Sequence, residues 1–481
     1  MKNKARKRYA RFVKMGTRVE LLDSDNLLEV LFMSTGPIAL CVLAVCIVML
    51  IVMICKLKIH PFFTLIIVAV VGALGFGLAP NTIMSTITGG FGSTIGSIGI
   101  VIVLGCTIGI ILEETGGAFV LANTMLKLVG KKRAGMALSL TGYLVSIPVF
   151  SDSAFVIMSP VARALSARSG IPLVCLAGCL NAGILATHAM VPPTPGPMAA
   201  AGVFGADLGM VILVGLCAAI PYTLVGSLWA NSKFIRKKYP YVAKMENVTD
   251  DDLSIKSDKD LPSALLSFGC ILVPVFLICI NSFAGLFLDS ESTLMKWLAF
   301  VGSPVFALSM GVLLALFLDK SKLTIDQVYK WFSDGVEKSG FIILATGAAG
   351  AFGAVLKSTD VGNYLGNLIA STGLPSVFVP FIITALVMIA QGSATVSLMT
   401  GAAITAPMIG ALGLHPAIAT MAVAAGATFA THANCSHFWV VTKMCDDMPL
   451  DEGYWLVSVQ TALGSLAAVT MVWLMSFIIV P

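Results

Sequence analysis

Residues 186–197 read Ala-Thr-His-Ala-Met-Val-Pro-Pro-Thr-Pro-Gly-Pro and follow an apolar stretch that begins near residue 172. The prolines after Val191 remove backbone N–H donors and favour extended backbone, so a helix must break here. The tetrapeptide Ala-Thr-His-Ala returns at 430–433, ahead of the polar residues Asn-Cys-Ser-His at 434–437. These segments predict two interrupted helices, although a tight periplasmic loop after a completed helix stays open for the first.

Two longer apolar stretches, 135–168 and 375–412, are also broken near their middles. The breaks read Ser-Ile-Pro-Val-Phe-Ser-Asp-Ser at 146–153 and Gln-Gly-Ser-Ala-Thr at 391–395. Each half is too short to cross a bilayer comfortably, because a spanning helix needs about 20 apolar residues. Both stretches therefore predict helical hairpins that enter the membrane and return.

The composition of the 481 residues agrees with a membrane setting. Hydrophobic residues make up 57% and charged residues 11%, and the mean hydropathy is +0.95, whereas soluble domains carry roughly 25% charge. A lipid bilayer is then the main solvent. This excludes a nucleic-acid-binding, fibrous or disordered protein and an ordinary soluble enzyme. The clear spanning candidates are 36–55, 61–79, 97–113, 172–190, 208–230, 263–283, 297–318, 340–356, 416–433 and 454–480.

The sequence repeats landmarks at one offset. His188 and His432 lie 244 positions apart, as do Asp207 and Asp451, and the two broken hairpins coincide at the same offset. The basic residues of the first half have no basic counterparts in the second, for example at 375–377, 407 and 412. Because basic loops mark the cytoplasmic side, equivalent loops face opposite sides. The prediction is an all-α polytopic membrane protein with about ten transmembrane helices and two re-entrant hairpins in an inverted-topology two-fold repeat.

These features divide the chain into a basic extension (1–33), a first membrane repeat (34–230), a cytoplasmic linker (231–262) and a second membrane repeat (263–481). The basic residues of the extension predict a cytoplasmic end, yet the loop 55–60 after the first span has the same character. Both ends of one span cannot be cytoplasmic. We therefore expect an upstream extension, with Met33 as a candidate start.

Broken helices inside a membrane are tolerated where they line a cavity or meet a ligand, and helix N-termini favour anions. Asp152, flanked by Ser151 and Ser153, is the carboxylate best placed to lie deep in the membrane. Two interpretations stay open, a helix N-cap and a proton carrier. His188 and His432 join Asp152 as candidates for proton coupling, because histidine titrates near neutral pH.

The opposite hairpin tip offers Gln391, Ser393 and Thr395 for hydrogen bonds to a substrate, although such hydroxyls also bond to their own helix. Thr194 and Asn434 are expected to line the other two breaks. We predict no catalytic residue, cofactor or metal site. The eleven cysteines form no CxxC pair and are read as small buried hydrophobes. The absence of a phosphate-binding loop, of HExxH and of GxSxG argues against an ATP-driven pump or a membrane protease.

Several stretches, in order along residues 36–475, resemble the gluconate permease (GntP) family of the ion transporter superfamily. They are Gly89–Thr94, Leu112–Ala118, Ser146–Asp152, His188–Ala200, Gln391–Val396 and His432–Asn434. Many members of the family read His-x-Asn-Asp near the second break. In this chain Asn434 is followed by Cys435 and then, two residues later, by His437. Some carry His where Thr194 stands. Both departures touch the expected pocket, so the substrate does not transfer with the family.

The resemblance implies proton-coupled uptake of gluconate or a related small hydroxy-carboxylate across the bacterial inner membrane. The substrate would be a small organic anion, the protein a homodimer, and movement an alternating access about the repeats. A sodium-coupled carboxylate transporter of the same superfamily is the nearest alternative. A passive anion channel and a membrane-embedded enzyme are weaker ones, because neither a continuous polar stripe nor a nucleophile-and-base set is visible.

Overall fold

The computed structural model describes residues 37–121, 124, 134–242, 261–287, 292–318, 323–359, 374–433, 435–445, 448 and 450–480. The described residues form helices joined by turns and breaks, and they contain no β-strand. The predicted extension 1–33, most of the cytoplasmic linker and Asn434 lie outside the described residues.

The described part of the first half of the chain includes nine α-helices. They are α1 (Pro37–Ile51), α2 (Pro61–Gly75), α3 (Pro80–Thr115), α4 (Ala134–Val145), α5 (Ser151–Ser169), α6 (Leu173–Met190), α7 (Pro195–Phe204), α8 (Leu208–Ala230) and α9 (Lys233–Lys238). The described part of the second half adds ten. They are α10 (Ala264–Phe287), α11 (Thr293–Val301), α12 (Pro304–Leu316), α13 (Ile325–Lys357), α14 (Phe378–Gln391), α15 (Ala394–Thr405), α16 (Pro416–Gly426), α17 (Ser436–Met444), α18 (Leu450–Gly453) and α19 (Val459–Met475).

Six helical segments among the described residues are long and apolar enough to cross a membrane, or seven if α11 and α12, bent by 52°, form one span. Several shorter apolar helices accompany them, including α2, α4, α14, α15 and α16. The fold is therefore that of a polytopic helical membrane protein. Residues 173–201 of segment α6–α7 are all buried inside the protein, which places the break at 191–194 in the interior.

All four helix interruptions predicted from the sequence are present. Residues 146–150 separate α4 from α5, residues 191–194 separate α6 from α7, and residues 392–393 separate α14 from α15. Gly392 has a φ of +78°, a left-handed conformation that glycine adopts without strain. Because these interruptions depend on local proline, glycine and polar residues, the sequence predicts their positions closely.

The fourth interruption begins earlier than the sequence predicts, since α16 ends at Gly426 and α17 begins at Ser436. The backbone between them bonds to side chains of the last segment. The Thr431 N–H donates to Thr461 Oγ1 over 2.9 Å, and Ser458 Oγ donates to the Thr431 carbonyl over 2.7 Å. These distant side chains form the hydrogen bonds that a continuous helix would otherwise provide. The longer break therefore leaves neither the N–H nor the carbonyl of Thr431 unpaired.

The long helices α3 and α13 pack along each other, and a cluster around Glu114 joins their ends. Its carboxylate accepts hydrogen bonds from Gln327 Nε2 at 3.2 Å, Lys330 Nζ at 3.1 Å and Trp331 Nε1 at 2.9 Å. The Trp331 side chain is fully buried. Glu114, at the end of α3, is thus the hydrogen-bond partner of a buried indole.

Replacing Glu114 by leucine is expected to lower the unfolding free energy by about 1–3 kcal/mol, because Trp331 Nε1 would keep no acceptor in a buried position. Glu114→Gln retains an acceptor and should lose much less stability. Melting curves of the purified protein in detergent test this. Lys330→Met is the matched control, since that ammonium group is exposed, and a loss equal to that of Glu114→Leu would show that the ion pair dominates.

Candidate functional site

The centre of the candidate site is a contact between the start of α5 and the start of α17. Ser436 Oγ donates a 2.8 Å hydrogen bond to Asp152 Oδ2, and His437 Nδ1 lies 2.9 Å from Asp152 Oδ1. Phe150, not Asp152, occupies the N-cap position of α5. Asp152 lies in the first turn, where the helix dipole stabilises a carboxylate. Its side chain therefore binds the opposite half of the chain and does not cap its own helix.

A buried row of polar groups continues inward from this contact. His437 Nε2 lies 2.7 Å from Asn181 Oδ1, and Asn181 Nδ2 donates to Gln460 Oε1 over 2.8 Å. Gln460 Nε2 donates in turn to the carbonyls of Gly178 at 2.7 Å and Gly226 at 2.9 Å. Asn181 and Gln460 are fully buried. Helices α5, α17, α6, α19 and α8 thus meet through one chain of hydrogen bonds, which we call the relay.

Sequence reasoning did not assign a role to four of these residues. Ser436 and His437 stand in the break that the sequence predicts at 434–437, but their pairing with Asp152 is not visible locally. Asn181 and Gln460 lie in apolar segments, at 172–190 and 454–480. An amide inside a membrane segment must find partners within the protein, and that rule is the signal that could have identified both.

The predicted residues of the second hairpin form a separate set. Gln391 Nε2 donates to the Ser393 carbonyl at 2.9 Å and to Ser397 Oγ at 2.6 Å. Ser393 Oγ accepts from the Val396 N–H at the start of α15. Gln391, Ser393 and Thr395 are half-buried. The tip is therefore ordered by its own hydrogen bonds and keeps part of its polar surface accessible.

Close backbone contacts draw the breaks together. Gly196, at the start of α7, faces Thr395, because a Cβ at Gly196 would lie 3.8 Å from Thr395 Oγ1. Gly105 and Gly109 of α3 lie one helical turn apart and face the carbonyl oxygens of Pro193 and Pro148. The breaks at 146–150 and 191–194 therefore pack side by side on α3. The tip of the second hairpin lies against the break at 191–194.

The remaining predicted residues occupy different positions around these breaks. Thr194 is buried, and its hydroxyl donates to the Val191 carbonyl at 2.7 Å. The ring of His188 is buried, with its centroid 6.1 Å from that of Phe150, while half-buried His432 lies 6.5 Å from Tyr454. Nδ1 of each histidine is buried without a hydrogen-bond partner among the described residues.

Ser151 and Ser153 flank Asp152 as the sequence predicts. Ser151 is buried, and its hydroxyl lies 3.5 Å from Asp152 Oδ1, while Ser153 is half-buried. In the part of the chain that the structure describes, no group of three or more His, Cys, Asp or Glu residues could hold a metal ion. The site thus offers a carboxylate, imidazoles, hydroxyls and helix N-termini, which suit protons and a hydroxylated anion.

Comparison with known proteins gives this arrangement a context. Residues 38–478 match the family model of the GntP family permeases. The chain is 36% identical to an uncharacterized permease of Haemophilus influenzae, over 89% of this chain and 90% of that protein. It is 31% identical to a gluconate permease of Pseudomonas aeruginosa, over 90% of this chain and 97% of that protein. These relatives are permeases and not enzymes.

The fold has a solved counterpart. The crystal structure of the Alcanivorax borkumensis YdaH transporter matches with a TM-score of 0.60 and 13% sequence identity, over 83% of this chain and 90% of that chain. At this identity the match concerns the fold alone. It places the helices of this chain in an architecture that a membrane transporter uses.

Proposed function

This chain belongs to the GntP permease family as a multi-pass transport protein of the inner membrane, and we propose that it imports gluconate or a related small hydroxy-carboxylate together with protons. The observation that carries the proposal is the Asp152 carboxylate, held by Ser436 and His437 beside two helix N-termini. Helix N-termini attract an anionic substrate, whereas an ionised Asp152 repels it. A proton on the Asp152–His437 pair removes that repulsion, so anion and proton would bind together.

The two sets of site residues would hold the substrate from opposite sides. Ser151, Asp152 and Ser153 would contact one side, and Gln391, Ser393 and Thr395 the other, with Thr194 and Asn434 lining the breaks. In this proposal Asp152, His188 and His432 carry the proton coupling. Nδ1 of His188 and of His432 has no hydrogen-bond partner among the described residues, which leaves both atoms available to a proton or a substrate hydroxyl.

The proposed movement is alternating access about an inverted two-fold repeat of about ten spans and two re-entrant hairpins. Helix bounds that recur near the 244-residue offset support it, as for α2 with α12, α3 with α13, and α4 with α14. The repeats at 34–230 and 263–481, the linker at 231–262 and the homodimer belong to the same proposal. Contacts between hairpin and break across the two halves would then open and close in turn.

Uptake of labelled gluconate into proteoliposomes tests the proposal. An inward proton gradient without sodium should drive accumulation above the external concentration, and a protonophore should collapse it. Empty liposomes, and liposomes with equal pH on both sides, are the controls. Uptake that requires sodium would show that sodium, and not the proton, is the coupling ion. Absence of gluconate uptake by intact protein would show that the pocket around Thr194 and Cys435 selects another ligand.

A further inference from the structure

We propose that Asp152 and His437 share the transported proton, and that Asn181 and Gln460 are positioning residues that decide where His437 carries its own proton. The inference rests on the proposed proton symport and deepens it. It adds His437 to the proton-binding group, and it gives the buried amides of the relay a role in transport.

The orientation of the Gln460 amide is set by its surroundings. Two backbone carbonyls, of Gly178 and Gly226, lie within 2.9 Å of the same terminal atom of its side chain. Carbonyls only accept hydrogen bonds, so that atom must be the NH₂ group. Gln460 Oε1 then faces Asn181, which must present its own NH₂ group to it. Asn181 Oδ1 is therefore the atom that faces the His437 ring.

This orientation determines the tautomer of His437. Asn181 Oδ1 is an acceptor, so His437 Nε2, 2.7 Å away, must carry a proton and donate it. In the neutral ring the other nitrogen, Nδ1, then has a bare lone pair. That lone pair faces Asp152 Oδ1 at 2.9 Å. The contact is a hydrogen bond only if one further proton lies between the two atoms.

The pair therefore exists in two states. With the proton, it is an imidazolium beside a carboxylate or a neutral ring beside a carboxylic acid, and α5 is bonded to α17. On release, the N–H or O–H bond breaks and the proton passes to water, leaving a neutral ring and a carboxylate with opposed lone pairs. Repulsion between these atoms weakens the link between the two halves. Proton release thus favours separation of the first hairpin, at the start of α5, from the fourth break, at the start of α17.

The exposure of the two side chains gives the proton a route. The His437 side chain is 3% exposed and that of Asp152 is 41% exposed, so protons reach the pair through Asp152. His188 of α6 interacts electrostatically with both Asp152 and His437, and Asp152 in turn acts on Cys435. Nζ of Lys338 on α13 lies 5.9 Å from the centre of the Phe150 ring, and it forms an ion pair with Glu113 Oε2 at 3.7 Å.

The relay has no copy at the repeat-related positions, although its helices have counterparts in the other half. At the 244-residue offset from Asp152, Asn181, Gln460 and His437 stand Val396, Ala425, Leu216 and Pro193. None of these four side chains titrates or donates a hydrogen bond. The repeat therefore supplies no second copy of the Asp152–His437 pair at these positions.

The first test is the pH dependence of uptake in proteoliposomes at a fixed membrane potential. In Asn181→Leu, His437 can move its proton to Nδ1 and donate to an ionised Asp152 without taking up another. The pair then binds its extra proton more weakly, and half-maximal uptake should shift to lower pH by about one unit, a tenfold loss of proton affinity. Gln460→Leu should shift it in the same direction, because the Asn181 amide becomes free to turn.

Thr420→Val is the matched control, since this buried hydroxyl bonds only to the Pro416 carbonyl of its own helix in the contacts described. Its pH profile should equal that of the wild type. Unchanged profiles in both Asn181→Leu and Gln460→Leu would overturn the proposal. If wild-type uptake does not depend on the proton gradient, the proposed proton symport is wrong instead.

A second measurement does not depend on transport or on the folding of variants. Nitrogen-15 NMR of histidine-labelled wild-type protein in lipid bilayers reports which ring nitrogen carries a proton, and His437→Gln identifies the His437 signals by their loss. We expect a protonated Nε2 at acidic and at alkaline pH, with only Nδ1 changing between them. A neutral ring protonated at Nδ1, with bare Nε2, would contradict the assigned role of Asn181 and Gln460.

Discussion

Asp152→Asn is expected to reduce proton-driven gluconate accumulation to the level of empty liposomes. Asparagine cannot carry the proton that the Asp152–His437 pair requires, although its amide oxygen can still accept the hydrogen bond from Ser436. It also removes the charge that repels the substrate when the site is unprotonated. Accumulation should therefore vanish, while exchange of labelled for unlabelled substrate across the membrane should persist.

Asp207→Asn provides the matched control for this prediction. Asp207 caps α8 by accepting from the Met210 N–H at 2.8 Å, and it also accepts from Ser282 Oγ at 2.7 Å. Asparagine is as good an N-cap as aspartate, so accumulation should stay close to the wild-type level. Wild-type accumulation by Asp152→Asn, with the protein reconstituted in equal amount, would show that another group carries the proton.

The sequence predicts the elements of the site better than their partners. The breaks at 146–150, 191–194 and 392–393 follow from local proline, glycine and polar residues, because backbone geometry there depends on neighbours in the chain. Asp152 is predicted as a candidate for the same reason, since its polar flanks interrupt an apolar stretch. Its pairing with Ser436 and His437 depends on how two distant helix ends meet.

The relay shows why those pairings escape a reading of one sequence. Asp152 and His437 are 285 residues apart, His437 and Asn181 are 256 apart, and Asn181 and Gln460 are 279 apart. No periodicity or motif links positions so distant. Their burial and hydrogen bonds arise only after the helices pack. The longer fourth break has a similar cause, because Ser458 and Thr461 of the last segment satisfy its backbone.

Gly109→Ala is expected to destabilise the protein by about 1–3 kcal/mol, the usual cost of overpacking an interior, and to impair uptake. A Cβ at Gly109 would overlap the Pro148 carbonyl oxygen, and one at Gly105 would lie 2.6 Å from the Pro193 carbonyl oxygen. Backbone atoms cannot swing aside as a flexible side chain can. Either substitution must therefore push a helix break away from α3 and move Asp152 or Thr194 with it.

Gly96→Ala is the control, because it lies in the same helix and a Cβ there meets no atom within 4 Å among the described residues. Alanine favours helix over glycine by up to about 1 kcal/mol, so Gly96→Ala should melt at or above the wild-type temperature. Gly109→Ala gains the same helical preference. If the contact with Pro148 determines its stability, it must still melt at a lower temperature than Gly96→Ala. Equal melting temperatures for the two variants, measured in one detergent, would mean that the hairpin turn does not rest on α3. A lower melting temperature with unimpaired uptake would place the break on α3 without making its exact position necessary for transport.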